Sequence, residues 1–193
     1  KQRALYNMGV AAMLGSLPQP YARAVSQLKG DTDAESSPGN LELERALHLA
    51  ARRDGSAEDA LRDFLKAHPD DPRWVEAQTA LAEYCVLDIP SRSKTAQTAL
   101  DAAAARPDIT PEARERLDYT RVWLHEGDED FKKVCEAGEA FDKSWPKSHR
   151  RDDVRMKVAK SYFRLEDYPR ARAQFEQLVE DHPDSPYAEV AEF

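Results

Sequence analysis

The sequence is poor in the residues that sheets and membrane spans require. It has 7 glycines in 193 residues, and valine, isoleucine and threonine are few. Scarce β-branched residues argue against an extensive sheet, whereas abundant alanine favours helix throughout. No run of about 18 apolar residues is present, so no segment is expected to span a membrane. The composition therefore predicts an all-α chain.

A positive net charge is also lacking. The chain has 36 acidic and 28 basic residues, which give a net charge of −8 at pH 7, and the two signs are interspersed. General nucleic-acid binding needs a basic face. We therefore expect no nucleic-acid partner, and RNA recognition by helical repeats is the less favoured alternative.

Motifs of catalysis and metal binding are missing as well. There is no glycine-rich phosphate loop, no nucleophile elbow, no His-Glu-x-x-His pair and no Cys-x-x-Cys pair. Cys85 and Cys135 lie on different predicted hairpins and are expected to pack as small apolar residues, although a disulfide between them is left open. The sequence therefore predicts a protein that is not an enzyme, with no cofactor and no metal. An enzyme with a helical-repeat body would need catalytic residues elsewhere.

The clearest positive signal is a helical hairpin between residues 152 and 186. Val154, Val158, Tyr162 and Leu165 recur at three- and four-residue spacing, which predicts one apolar stripe on a helix. Residues 166–169 break the pattern with a proline that suits the first turn of a new helix. A second stripe follows at Ala171, Phe175, Leu178 and Val179, and Pro183 ends it.

This hairpin resembles a tetratricopeptide repeat. With Asp152 as the first position, the residues that match the small, aromatic and proline positions of the signature are Ala159, Tyr162, Tyr168, Ala171, Phe175 and Pro183. Arg155 departs from it, since a large apolar residue is usual there. The ending HPDSPYAEVAEF is similar to the repeats of bacterial envelope proteins, among them the outer-membrane assembly lipoprotein and the Tol–Pal coordinator. The resemblance implies a right-handed α–α superhelix and a periplasmic or outer-membrane-associated location, with the cytoplasm left open.

The same hairpin recurs along the chain. His68-Pro69, Arg106-Pro107, Trp145-Pro146 and His182-Pro183 are spaced by 38, 39 and 37 residues, a period typical of a helical solenoid. We predict a single solenoid, residues 1–193, of about five hairpins with a polar loop at 30–39. The hairpins are expected at about 1–29, 40–68, 72–106, 110–145 and 150–183, and residues 186–193 are expected to begin a further helix. The chain therefore reads as a piece of a longer protein.

Candidate partner contacts lie on the predicted first helices, which line the concave groove in tetratricopeptide proteins. Lys157, Lys160 and Arg164 are three and four residues apart, which predicts one basic ridge off the apolar stripe. The candidate partner-binding residues are Lys157, Lys160, Arg164, Met156, Phe163 and Trp123. The resemblance implies that such a ridge binds carboxylates of an extended peptide, whereas an ordinary solvated helix face is the alternative.

The sequence supports two functions about equally. The first is a non-catalytic interaction module whose groove binds a peptide or protein partner, including an acidic segment. The second is a scaffold or assembly subunit of a bacterial envelope complex, in which the hairpins serve as spacers and contacts. The oligomeric state is open.

Overall fold

The computed structural model describes residues 2–28, 37–88, 91–181 and 183–187. These residues form ten α-helices and no strand, and none of the helices is long and apolar enough to cross a membrane. The chain divides into two compact units, Lys1–Tyr84 (unit 1) and Cys85–Phe193 (unit 2). The helices are α1 (Gln2–Leu14), α2 (Pro18–Leu28), α3 (Pro38–Ala51), α4 (Ala57–Ala67), α5 (Trp74–Val86), α6 (Ser93–Ala104), α7 (Pro111–Gly127), α8 (Phe131–Ser144), α9 (Arg151–Arg164) and α10 (Tyr168–Asp181).

Helices pack in consecutive pairs, α1 with α2 and α3 with α4 in unit 1, and α7 with α8 and α9 with α10 in unit 2. The first helix of each of these pairs ends in the same turn. The residues with positive φ are Ser16 (53°), Arg53 (55°), Glu129 (57°) and Glu166 (60°). In each turn the next amide donates to the carbonyl oxygen five residues earlier, at 2.8 to 3.0 Å. This is the Schellman arrangement, in which glycine is the usual residue at the positive-φ position.

Two helix starts show how capping sets the element boundaries. The Thr110 hydroxyl accepts from the Ala113 amide at 3.2 Å, and the proline that follows suits the first turn of a helix. Asparagine is a common N-cap residue, but Asn40 lies inside α3. The hydroxyl of Ser37 accepts from the Asn40 amide at 3.0 Å, so α3 begins at Pro38. Serine followed by a first-turn proline is the stronger start signal. The rest of the predicted 30–39 loop, and residues 188–193 of the helix predicted to begin within 186–193, lie outside the described residues.

The core of unit 2 lies between α8, α9 and α10. Val134, Cys135 and Phe141 of α8 form one buried cluster with the α9 stripe, Val154, Val158 and Tyr162, and with Ala171 of α10. Helices α8 and α9 approach closely at Gly138, where a Cβ would lie 2.2 Å from Cγ2 of Val158. Gly9 has the same role in unit 1, against Leu41. In the described segments Cys85 and Cys135 are both buried and form no disulfide bond, which answers the open question of a disulfide between them.

Side-chain hydrogen bonds join segments about one repeat apart in unit 2. The Tyr119 hydroxyl donates to Asp153 at 2.8 Å, 34 residues away, and the Tyr187 hydroxyl donates to the same carboxylate at 2.9 Å, again 34 residues away. Ser148 donates to Glu115 at 2.6 Å and Ser185 to Asp152 at 2.7 Å, each over 33 residues. This separation matches the 34-residue period of tetratricopeptide arrays. These hydrogen bonds place α7 and the 183–187 segment next to α9.

Candidate partner-binding site

Helix α9 carries most of the predicted contacts, and eight of its 14 residues are buried. It packs against α8 and α10 and also contacts α7. An amphipathic surface helix normally keeps its polar face in water. Because α9 has neighbours on several sides, its solvent-exposed residues are confined to its C-terminal turn. The predicted ridge therefore divides into a buried part and an exposed part.

Lys157 belongs to the buried part and is only 8% exposed. Its Nζ lies 2.6 Å from a carboxylate oxygen of Glu126 on α7 and 3.5 Å from the centroid of the Trp123 ring. A cation over an indole face is attracted by the ring quadrupole. The prediction that Lys157 shares one exposed ridge with Lys160 and Arg164 is wrong, since Glu126 already neutralises its charge. Lys157 instead joins α7 to α9.

Trp123 keeps part of its surface in solvent. Its side chain is 36% exposed, while Lys157 covers one face of the ring and Tyr119 approaches edge-on with ring centroids 6.3 Å apart. The indole therefore packs between Lys157 and Tyr119.

Met156 lies on a second buried face of α9, separate from the stripe of Val154, Val158 and Tyr162. It is 2% exposed and forms a buried cluster with Leu178 of α10, next to Phe175, Val179 and Tyr187. A second apolar surface on α9 exists because the 183–187 segment covers the start of the helix. Sequence periodicity from a single helix cannot show that cover. Met156 therefore contributes to the core and has almost no surface for a partner.

Lys160, Phe163 and Arg164 form the exposed part, at the C-terminal turn of α9. No described carboxylate lies within ion-pair distance of Lys160 or Arg164. The Phe163 side chain is 57% exposed and meets Tyr168, itself 54% exposed, edge-on with ring centroids 5.4 Å apart. Lys160 and Arg164 thus lie beside an exposed aromatic pair at the C-terminal turn of α9.

The sequence did not predict the ion cluster around Arg155. Arg155 is 3% exposed and pairs with Asp142 at 2.9 Å and with Asp181. Arg151 also pairs with Asp142, at 2.5 Å. Burial alone would raise the pKa of Asp142, but the hydrogen bonds from Arg151 and Arg155 outweigh burial and hold that pKa below its ordinary value. The one signal in the sequence was an arginine at a repeat position where an apolar residue is usual. The cluster joins the ends of α8 and α10 to the start of α9.

In unit 2 the side chains of Cys135 and His125 do not favour nucleophilic catalysis. Burial raises the pKa of the Cys135 thiol to about 11, so the reactive thiolate is scarce near neutral pH. Burial and the neighbouring Lys133 lower the pKa of His125, but no described acid or nucleophile is hydrogen-bonded to that ring. Within the described ranges no cluster of three or more His, Cys, Asp or Glu side chains is placed to hold a metal ion.

Comparison with known proteins agrees with this description. Residues 113–193, less than half of the chain, match the model of the YfiO family, described as an outer membrane lipoprotein. A solved structure of MamA AMB-1, a tetratricopeptide-like helical repeat protein, aligns with a TM-score of 0.62 at 17% identity. The alignment covers 98% of this chain and 96% of that chain. No curated protein matches the chain. The fold is that of the tetratricopeptide-like solenoids.

Proposed function

We propose that this protein is a non-catalytic interaction module and that unit 2 binds an acidic segment of a partner protein along α9. The observation that carries the proposal is the exposed pair Lys160 and Arg164, two cations without a described carboxylate on a helix whose other basic residues are paired. Binding a carboxylate to such a cation stabilises the complex without breaking an existing ion pair. The chain's overall negative charge argues against RNA as the partner.

The second candidate function is an assembly subunit of an envelope complex. The match of residues 113–193 to an outer membrane lipoprotein family favours it. The partner in this alternative is a protein of the periplasm or the outer membrane. In this alternative the α9 surface need not be selective for acidic segments. The buried links between α7 and α9 would hold hairpins at fixed spacing, as a scaffold requires.

Site-specific crosslinking tests the proposal. A photoreactive phenylalanine analogue replaces Phe163, and the crosslinked peptides are sequenced from separate envelope and cytosolic fractions. The double variant Lys160→Glu with Arg164→Glu removes the two cations. The matched control, Lys132→Glu with Lys147→Glu, makes the same charge change at exposed positions of unit 2 outside the site.

We expect crosslinks to an acidic segment, lost in the site variant and retained in the control. Equal crosslinking by both variants refutes an electrostatic site on α9 and favours the assembly-subunit function. Crosslinks found only in the cytosolic fraction argue against the envelope location. Turnover of any substrate by the purified chain would refute the non-catalytic function.

A further inference from the structure

Unit 1 contains an open groove between α2, α3 and α4. Its volume is about 470 Å³, and pockets that bind small ligands typically measure about 300 to 1,000 Å³. We call it the α2–α4 groove. The residues that line it include Tyr21 and Val25 of α2, Glu42 and Arg45 of α3, and Asp63 and Phe64 of α4.

The two units can be aligned residue by residue, because the same hydrogen bond between neighbouring repeats occurs in both. Asn40 donates to the Tyr6 hydroxyl at 3.1 Å in unit 1, and the Tyr119 hydroxyl donates to Asp153 at 2.8 Å in unit 2. Each residue of the second pair follows its counterpart by 113 positions. The positive-φ turn residues that precede α2 and α8, and those that follow α3 and α9, are separated by the same 113 positions. Helices α2 and α3 therefore correspond to α8 and α9.

The equivalent groove of unit 2 is narrowed by packing that unit 1 lacks. Gly138 of α8 lies close to Val158 of α9, and the groove beside them measures only about 190 Å³. The equivalent positions of unit 1 are Val25 and Arg45, whose side chains are larger. Helices α2 and α3 also pack less extensively than α8 and α9. The groove of unit 1 is therefore open because a valine and an arginine replace a glycine and a valine.

The α2–α4 groove also carries charges without partners. Arg45 is exposed, and its Cζ lies 5.4 Å from the centroid of the Tyr21 ring. Among the described residues no carboxylate lies within 4.0 Å of Arg45, and no cation lies within 4.0 Å of Asp63. Glu42, by contrast, pairs with His68 at 2.9 Å. The groove therefore offers one cation and one carboxylate to a ligand that carries both charges.

Much of the remaining lining is apolar and small. Phe64 is 2% exposed, and its ring packs against His68 with ring centroids 5.0 Å apart. Ala22, Ala60 and Ala67 also line the groove and leave its width unfilled. A large apolar side chain that enters beside these residues is removed from water, which is favourable.

We infer that the α2–α4 groove binds a free α-amino acid with a large apolar side chain. The carboxylate of the ligand pairs with Arg45, its ammonium group pairs with Asp63, and its side chain packs against Phe64. Inside a polypeptide the α-amino and α-carboxyl groups are consumed by peptide bonds, so a residue within a protein segment does not carry both charges. The ligand therefore differs from the acidic segment proposed for α9, and the inference goes beyond that function.

Isothermal titration calorimetry with the complete chain tests the inference. L-phenylalanine and L-leucine are the main probes. N-acetyl-L-phenylalanine lacks the ammonium group, L-phenylalaninamide lacks the carboxylate, and free glycine lacks the apolar side chain. The groove variants are Arg45→Gln, Asp63→Asn and Ala60→Leu, the last of which fills the groove. The matched control is Arg52→Gln with Asp70→Asn, at exposed positions of unit 1 outside the groove.

We expect L-phenylalanine or L-leucine to bind roughly tenfold more tightly than the acetylated, amidated and glycine probes, because each of these lacks one interaction. Arg45→Gln should weaken the binding of the amino acid but leave that of the amide unchanged, since the amide has no carboxylate. Asp63→Asn should leave the binding of the acetylated probe unchanged for the corresponding reason. Ala60→Leu should abolish binding, and the control should behave as the native chain. Circular dichroism spectra and melting temperatures show whether the variants are folded.

Other outcomes overturn the inference. These are no heat of binding from either apolar amino acid, equal affinity for all five probes, or binding by folded Ala60→Leu equal to that of the native chain. A dimer detected by sedimentation and abolished by Ala60→Leu shows that a second copy of the chain occupies the groove, which also overturns it. Every variant lies in unit 1, so the crosslinking at α9 tests the proposed function separately.

Discussion

Substitution of Gly138 by alanine tests the packing that positions α9. The new Cβ would lie 2.2 Å from Cγ2 of Val158 and 3.3 Å from Cγ1 of Val154. Carbon atoms in contact are normally about 3.5 to 4.0 Å apart. Both valines are buried, and a β-branched side chain in a helix has one strongly preferred rotamer. The valine side chain cannot turn away, so α8 and α9 must separate by more than 1 Å on this estimate.

The expected cost follows from two opposing effects. Overpacking a well-packed core costs about 1 to 3 kcal/mol, and sometimes more. Alanine in place of glycine inside a helix regains about 1 kcal/mol of helix propensity. Because the 2.2 Å contact is far shorter than a normal one, we place the overpacking cost at about 2 to 3 kcal/mol, so the net loss in the free energy of unfolding is about 1 to 2 kcal/mol. For a domain of about 100 residues this lowers the melting temperature by roughly 4 to 16 °C.

Thermal and urea unfolding followed by circular dichroism measure the effect. Gly55→Ala is the control, because no atom lies within 4 Å of a Cβ at that position, and its melting temperature should not fall. Combining Gly138→Ala with Val158→Ala removes the clashing methyl group, so the double variant should be less destabilised than the sum of the single variants. A Gly138→Ala protein as stable as the native chain would refute the close approach of α8 and α9.

Three further predictions concern the turns, the ion cluster and the buried thiol of unit 2. Glu129→Gly should raise the free energy of unfolding by about 0.5 to 1 kcal/mol, because glycine adopts positive φ without strain, whereas Glu136→Gly inside α8 should lower it by about 1 kcal/mol. Asp142→Asn should lower the free energy of unfolding by about 1 to 3 kcal/mol at neutral pH, because it leaves buried Arg155 with one carboxylate fewer. Since the folded pKa of Asp142 is depressed, its contribution is present above the ordinary carboxyl pKa of about 4 and should disappear as the pH falls through the folded pKa. Cys135, whose pKa is raised to about 11, should react with iodoacetamide at pH 8 only after unfolding.

Each of these predictions has an outcome that contradicts it. Destabilisation by Glu129→Gly would mean that its side chain makes a contact worth more than the strain of positive φ. A difference between Asp142→Asn and the native chain that stays constant down to low pH would show that the carboxylate charge does not stabilise the cluster. Mass spectrometric detection of rapid Cys135 labelling in the folded protein would contradict its burial.

The fold could be largely predicted from the sequence because its signals are local. Periodic apolar residues such as Val154, Val158 and Tyr162 define helices, and they are buried as predicted. Thr110 with its following proline marks the start of α7. The turns were harder to predict from the sequence. Glycine favours a turn, yet Gly127 is the last residue of α7 and Glu129 has the positive φ. The Schellman bonds define that position, and any residue can occupy it at a modest cost.

The candidate site shows what the sequence determined and what tertiary structure decided. The helical period alone placed Lys160 and Arg164 on one face of α9 and Phe163 beside them, because those relations arise within one helix. Whether each of these side chains is exposed to a partner depends on the helices and segments that pack against α9. Glu126 and Trp123 of α7 enclose Lys157, and α10 with Tyr187 covers Met156. These contacts join residues separated by 22 to 34 positions, and only the packing of helices against one another brings such residues together.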